Sequence, residues 1–142
     1  MLNQTPDLPL VNSETRCRPL VLVVDDNHDN LAFACSSLEL FNLRHIVASS
    51  SQIALDLAMD RLPDIILLDI VMPKIDGITL AAFFKRNPLT DHIPIIAVTG
   101  LALPEQKKQI LNSGCDDYLC KPYLIEDLKD KIASFLNLKA IK

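Results

Sequence analysis

Five short runs dominated by apolar residues, each followed by a stretch in which apolar residues return every three or four positions, most constrain what this chain can fold into. The runs cover residues 20–24, 43–48, 65–69, 95–99 and 117–120. A strand that is apolar along its length has both faces covered, and this is the mark of a parallel sheet between helices. The intervening periods supply those helices. Leu31, Ala34, Cys35, Leu38 and Phe41 make one stripe of a helix over 30–41, and Leu124, Leu128, Ile132 and Phe135 make another. Three more fit 51–60, 78–86 and 104–113, with Pro104 suited to a first turn and Gly114 to the cap after the last. The alternation predicts a doubly wound α/β domain with a five-stranded parallel sheet and helices on both faces. One domain is expected over 19–138, with a flexible tail over 1–18 and a short tail over 139–142.

Composition narrows the function classes. The chain has 142 residues, 49% of them hydrophobic and 23% charged, enough for a real core. Its 14 Lys+Arg against 18 Asp+Glu give a net charge of -4, which argues against a sequence-independent grip on nucleic acid. The longest apolar runs fall far short of the roughly 20 residues a membrane span needs, and no signal-peptide pattern opens the chain. A soluble, cytoplasmic protein without a membrane partner is expected. Cys17, Cys35, Cys115 and Cys120 form no CxxC pair, so free, mostly buried thiols are expected.

In such a sheet the residues that end different strands meet along its carboxyl edge, where open α/β sheets bind ligands. Here the first strand runs into Asp25 and Asp26, the third ends in Asp69, the fourth in Thr99 and the fifth runs into Lys121. Three carboxylates at close range repel, and a divalent cation relieves them. Hard oxygen ligands with room for water favour magnesium, or manganese, over zinc. Thr99 and Lys121 suit a phosphoryl group, one as a hydroxyl donor and one as a compact cation. Asp69, on the central strand, is then the natural nucleophile of an aspartyl phosphate.

Four segments, VVDD at 23–26, LLDIVMPKIDG at 67–77, AVTG at 97–100 and GCDDYLCKP at 114–122, resemble in order and spacing the receiver domain of two-component response regulators. The likeness covers nearly everything after Pro19, and it implies the flavodoxin-like strand order 2-1-3-4-5. It implies that Asp69 accepts a phosphoryl group from a phosphohistidine on a sensor histidine kinase or histidine phosphotransfer protein. Asp25 and Asp26, with Asp69 and the backbone carbonyl of Val71, would hold magnesium. Thr99 would bond a phosphate oxygen, Lys121 would pair with the phosphate, and Tyr118 would be an aromatic switch that turns inward as Thr99 moves. The Lys121–Pro122 bond would be cis. Pro73, Gly77, Gly100 and Pro122 would support the loops around the site; Pro73 fixes a backbone angle, and Asp76-Gly77 offers a turn and a helix start. Apolar Val71 and Leu101 would flank the pocket and hinder an attacking water.

Plainer roles compete for some of these residues. Asp25 or Asp26 could cap the following helix, though Asn27 to Asp29 are better placed for that work. His28, His45 and His92 have no second metal-type neighbour at helical spacing and read as surface or loop residues. The resemblance implies a stand-alone signalling switch, Mg-dependent and catalysing only its own phosphoryl transfer and dephosphorylation. Its output would run through the face of the fourth helix, fifth strand and fifth helix to a downstream target protein or a phosphorelay, since only LNLKAIK follows Phe135. A phosphorylation-dependent homodimer is compatible with this reading. A haloacid-dehalogenase-type phosphatase would need a second Asp two residues after the nucleophile, where this chain has Val71. A pseudo-receiver would lack one of the acidic pair, the acceptor or the lysine, and this chain keeps all of them.

Overall fold

Branched aliphatic side chains suit a pleated surface covered on both sides, and they form the middle of the sheet. The computed structural model describes residues 18–70, 76–100 and 103–136. Its strands are β1 (Leu20–Val24), β2 (Arg44–Ala48), β3 (Ile65–Asp69), β4 (Ile95–Thr99) and β5 (Asp117–Cys120). All pairings are parallel, in the order β2-β1-β3-β4-β5. The expected flavodoxin-like topology is therefore the one observed. Every residue of β1, β3 and β4 is buried, while the edge strands β2 and β5 are largely half-buried.

The helices are α1 (His28–Leu40), α2 (Ser51–Arg61), α3 (Gly77–Arg86), α4 (Pro104–Asn112) and α5 (Ile125–Leu136). Side chains alternate along the central strands, so each strand feeds two cores. Leu22, Ile66, Leu68 and Ile95 pack with Ala58 of α2, Phe84 of α3 and Ile110 of α4. Val21, Val23, Leu67 and Ile96 face the other way, against Leu38 of α1 and Ile132 of α5.

Local chemistry sets the element ends. α1 begins two residues before the expected start because Asn27 caps it, its side-chain oxygen accepting from Asn30 N at 2.9 Å. Leu43, expected in β2, instead gives its N–H to Leu38 O at 3.0 Å and so closes α1. Gly114 follows α4 at φ 116°, where a side chain would be strained. At the amino edge of the sheet, Asp64 accepts from Leu20 N and Asp116 from Ile95 N, each at 2.8 Å. Those two carboxylates are occupied with holding strand starts together.

Candidate functional site

The carboxyl edge is built by backbone bonds that carry the sheet one residue past its strands. Asp25 N donates to Ala48 O at 3.1 Å, Ile70 N to Val98 O at 3.2 Å and Lys121 N to Thr99 O at 2.8 Å. Asp25, Asp69 and Lys121 therefore project from fixed backbone on three strands. Thr99 stands one register position beyond the Asp69 and Val98 pair, facing Cys120. Asp25, Asp69 and Thr99 are only 6%, 4% and 0% exposed, so the two carboxylates are poorly hydrated.

Lys121 supplies the counter-charge. Its Nζ lies 2.7 Å from Asp69 Oδ2 and 3.8 Å from Asp25 Oδ2. Burial pushes the Asp69 carboxyl above the usual carboxylate range, the Lys121 hydrogen bond pulls it back, and the charge of Asp25 pushes it up again. The net direction is upward. Asp25 Oδ1 also accepts from Asn27 N at 2.9 Å, which fixes its carboxylate in a short turn.

Asp26 is half-buried at the next position. Among the described residues no three His, Cys, Asp or Glu side chains make a group that could hold a metal. Asp25 and Asp69 both stand beside the Lys121 ammonium. Two carboxylates against one ammonium leave one negative charge in a largely dry pocket. That surplus, on hard oxygen donors, fits a divalent cation.

The supporting residues divide sharply. A Cβ on Gly77 would lie 2.8 Å from Asp69 O and 2.8 Å from Ile70 Cα, so the first turn of α3 rests directly on the backbone of the central aspartate. The need for glycine there is close approach, with Asp76 supplying the cap by accepting from Thr79 N at 3.2 Å and Thr79 Oγ1 at 2.7 Å. Among the described residues a Cβ on Gly100 would meet nothing within 4 Å, so these surroundings do not demand a glycine. The Lys121–Pro122 bond is cis, as expected. Val71, Pro73 and Leu101 lie outside the described residues.

Tyr118 sits on β5, half-buried against the core that contains α4. Lys107 Nζ of α4 lies 5.1 Å and Lys131 Nζ of α5 5.7 Å from its ring centroid. Lys131 also pairs with Asp117 at 2.9 Å. The ring is thus held on the flank of the sheet between two cations. His28 and His92 are exposed and His45 half-buried, and His45 lies 3.2 Å from Glu39. Cys115 is buried, Cys35 and Cys120 are half-buried, and all three are free thiols. Cys17 lies outside the described residues.

Sequence reasoning missed a cavity of about 470 Å³ that opens beside the acidic pair, under α1. Phe33 of α1 and Tyr123, whose rings are 5.6 Å apart and tilted by 56°, stand along it. The Tyr123 phenol is pushed up by burial and then by the charge of Asp25. A helical stripe tells which side of α1 faces the sheet, but it carries no information about how completely that side is filled.

This arrangement has relatives. The response regulator receiver domain family matches residues 21–133. A probable cyclic di-GMP phosphodiesterase of Vibrio cholerae is 38% identical over 122 residues, covering 86% of this chain and 27% of its own length. The chain thus spans about a quarter of that relative. The polar-differentiation response regulator DivK of Brucella ovis is 34% identical over 117 residues, covering 82% of this chain and 95% of DivK. Among solved structures, the receiver domain of the Pseudomonas aeruginosa sensor histidine kinase PA1611 superposes with a TM-score of 0.79 at 25% identity. The match covers 86% of this chain and 100% of that one, and that domain carries a magnesium ion coordinated in its active-site cleft. The chain belongs to the response regulator receiver domain family, the signalling domains of two-component systems. Among the described residues no helix is long and apolar enough to cross a membrane.

Proposed function

We propose that this chain is a receiver that takes a phosphoryl group onto Asp69 from a phosphohistidine on a sensor histidine kinase or a histidine phosphotransfer protein. The observation that carries this reading is the buried Asp69 carboxylate with the Lys121 ammonium 2.7 Å away and Asp25 beside it. An Asp69 oxygen attacks phosphorus, the phosphorus–nitrogen bond to the donor imidazole breaks, and the imidazole leaves with a proton. Lys121, drawn from the carboxylate to the incoming phosphate oxygens, balances charge there, and Thr99 donates its hydroxyl to another oxygen.

Asp25 and Asp26, with Asp69 and the Val71 carbonyl, are the groups that would hold magnesium, or manganese. When bound, the ion would neutralise charge on the phosphate oxygens. Support for it comes from the surplus negative charge on buried oxygens and from the magnesium in the Pseudomonas relative.

Signalling follows from a two-state equilibrium. Tyr118 leaves the cations of Lys107 and Lys131 and turns inward as Thr99 engages the phosphate, and the face of α4, β5 and α5 changes its affinity for a downstream protein or a relay partner. Phosphorylation-dependent homodimerisation through that face is one such output. The working unit runs from about residue 19 to about residue 138 in the cytoplasm, without a nucleic-acid or membrane partner. Its only chemistry is gain and loss of its own phosphoryl group.

Intact mass after incubation with acetyl phosphate tests this. A magnesium-dependent phosphoryl adduct on the parent and none on Asp69→Asn supports it; no adduct on a folded, magnesium-binding parent rejects it.

A further inference from the structure

The ring of Tyr118, on the edge strand β5, lies within reach of cations from two different helices. Lys107 Nζ of α4 is 5.1 Å and Lys131 Nζ of α5 is 5.7 Å from its centroid. Both distances fall inside the roughly 6 Å over which an ammonium is drawn to an aromatic face. Lys131 is itself held in place. Asp117 Oδ2 accepts from its Nζ at 2.9 Å, while Asp117 Oδ1 accepts from Tyr118 N at 2.8 Å. One carboxylate thus fixes the backbone of Tyr118 and the ammonium near its ring together. An ammonium already pinned by a partner loses little further side-chain freedom in staying on the ring. All four residues are half-buried, so water screens these contacts only in part.

These cation–ring contacts exist only while the ring stays on the flank of the sheet. They stabilise that position and oppose an inward one by their sum. Where a phosphoryl group favours the inward ring, coupling is reciprocal, and the same contacts must weaken the site's hold on that group by the same factor.

We propose that Lys107 and Lys131 are positioning residues that clamp Tyr118 outward and so set how far the resting chain is held from its phosphorylated state. The effect on phosphate rests on the switch role given to Tyr118 above, whereas the clamp on the resting ring rests on the geometry alone. Its sign separates it from plain electrostatics. Removing two positive charges should weaken an anion at Asp69, and releasing the clamp should strengthen it.

Two measurements on the full chain test this. Side-chain NMR of Tyr118 in the unphosphorylated protein should show one rotamer in the parent, with ring contacts to the methylenes of both lysines, and averaged rotamers in Lys107→Met/Lys131→Met. Beryllium trifluoride, an anion that takes the place of a phosphoryl group on a carboxylate oxygen, is then titrated with magnesium and followed by fluorine NMR. Its affinity should rise about threefold for either Met variant and about tenfold for the pair. Lys107→Arg and Lys131→Arg, which keep the cation, should stay within about twofold of the parent. In a Tyr118→Leu background the Met changes should give no gain. A Tyr118 ring already averaged in the parent would overturn the clamp, as would an affinity for beryllium trifluoride that falls in the Met pair or rises equally without Tyr118. A parent with a fixed ring that binds magnesium but no beryllium trifluoride would instead reject the receiver reading, and leave the clamp on the resting ring supported.

Discussion

Lys121 Nζ lies 2.7 Å from Asp69 Oδ2, although 52 positions separate the two residues in the chain. Three parallel strands joined by two helical crossovers put the ammonium on the carboxylate, and burial makes the contact matter. On the proposed reading, Lys121→Met removes charge balance at the transferring oxygens. Its rate of phosphorylation by acetyl phosphate should drop by roughly 10²-fold. Far-UV circular dichroism should stay unchanged, which separates lost chemistry from lost fold.

Gly77 and Gly100 should behave oppositely when changed to alanine. At 77 the new Cβ meets backbone at 2.8 Å, and backbone of the central strand cannot swing aside. Gly77→Ala should cost about 2 kcal/mol or more in urea unfolding. Gly100→Ala should fall within about 0.5 kcal/mol of the parent. Equal effects would contradict the close-approach account.

Asp76 anchors α3 from outside the pocket. Its carboxyl is held below the usual range, first by the Thr79 hydroxyl and then by the Thr79 N–H. A lowered folded value means that the stabilisation is complete above the ordinary carboxylate pKa. It is lost as pH falls through the folded value. Asp76→Ala should therefore be about 1 kcal/mol less stable than the parent at pH 7 and at pH 5. The gap should close only below about pH 4, as read from urea midpoints.

Tyr118 reports the proposed switch. In the structure its ring is flanked by Lys107 and Lys131 at 5.1 and 5.7 Å. If phosphorylation draws the ring inward, the side-chain methylene resonances of both lysines should lose the ring-current shift that Tyr118 gives them. A Tyr118→Leu variant should show no such change on phosphorylation. Lysine resonances that are indifferent to phosphorylation in the parent would remove Tyr118 from the switch.

The parts of this architecture that depend on apolar spacing were readable from the sequence, because burial on both faces forces an unbroken run. β1, β3, β4 and β5 fall where the runs predict them. Capping decided what the runs could not: Asn27 starts α1 at His28, and Leu43 is taken by a bond to Leu38. At the rim, topology alone brought Asp25, Asp69 and Lys121 together, since strand ends in one sheet must meet. Spacing could not show that Lys121 would stand 2.7 Å from Asp69 and 3.8 Å from Asp25. Nor could it show that Gly77 sits on the Asp69 carbonyl or that α1 leaves a cavity. Those features depend on distances between elements, which periodicity does not encode.

Borohydride reduction of the chain after treatment with acetyl phosphate and magnesium, followed by peptide mass spectrometry, reads the phosphorylated atom directly, because an acyl phosphate is reduced to an alcohol and a free carboxylate is not. The account predicts homoserine at position 69 in the phosphorylated sample and aspartate there in the untreated one. Homoserine at Asp25 or Asp26 instead, or unmodified Asp69 in a sample whose intact mass carries the phosphoryl group, would contradict it.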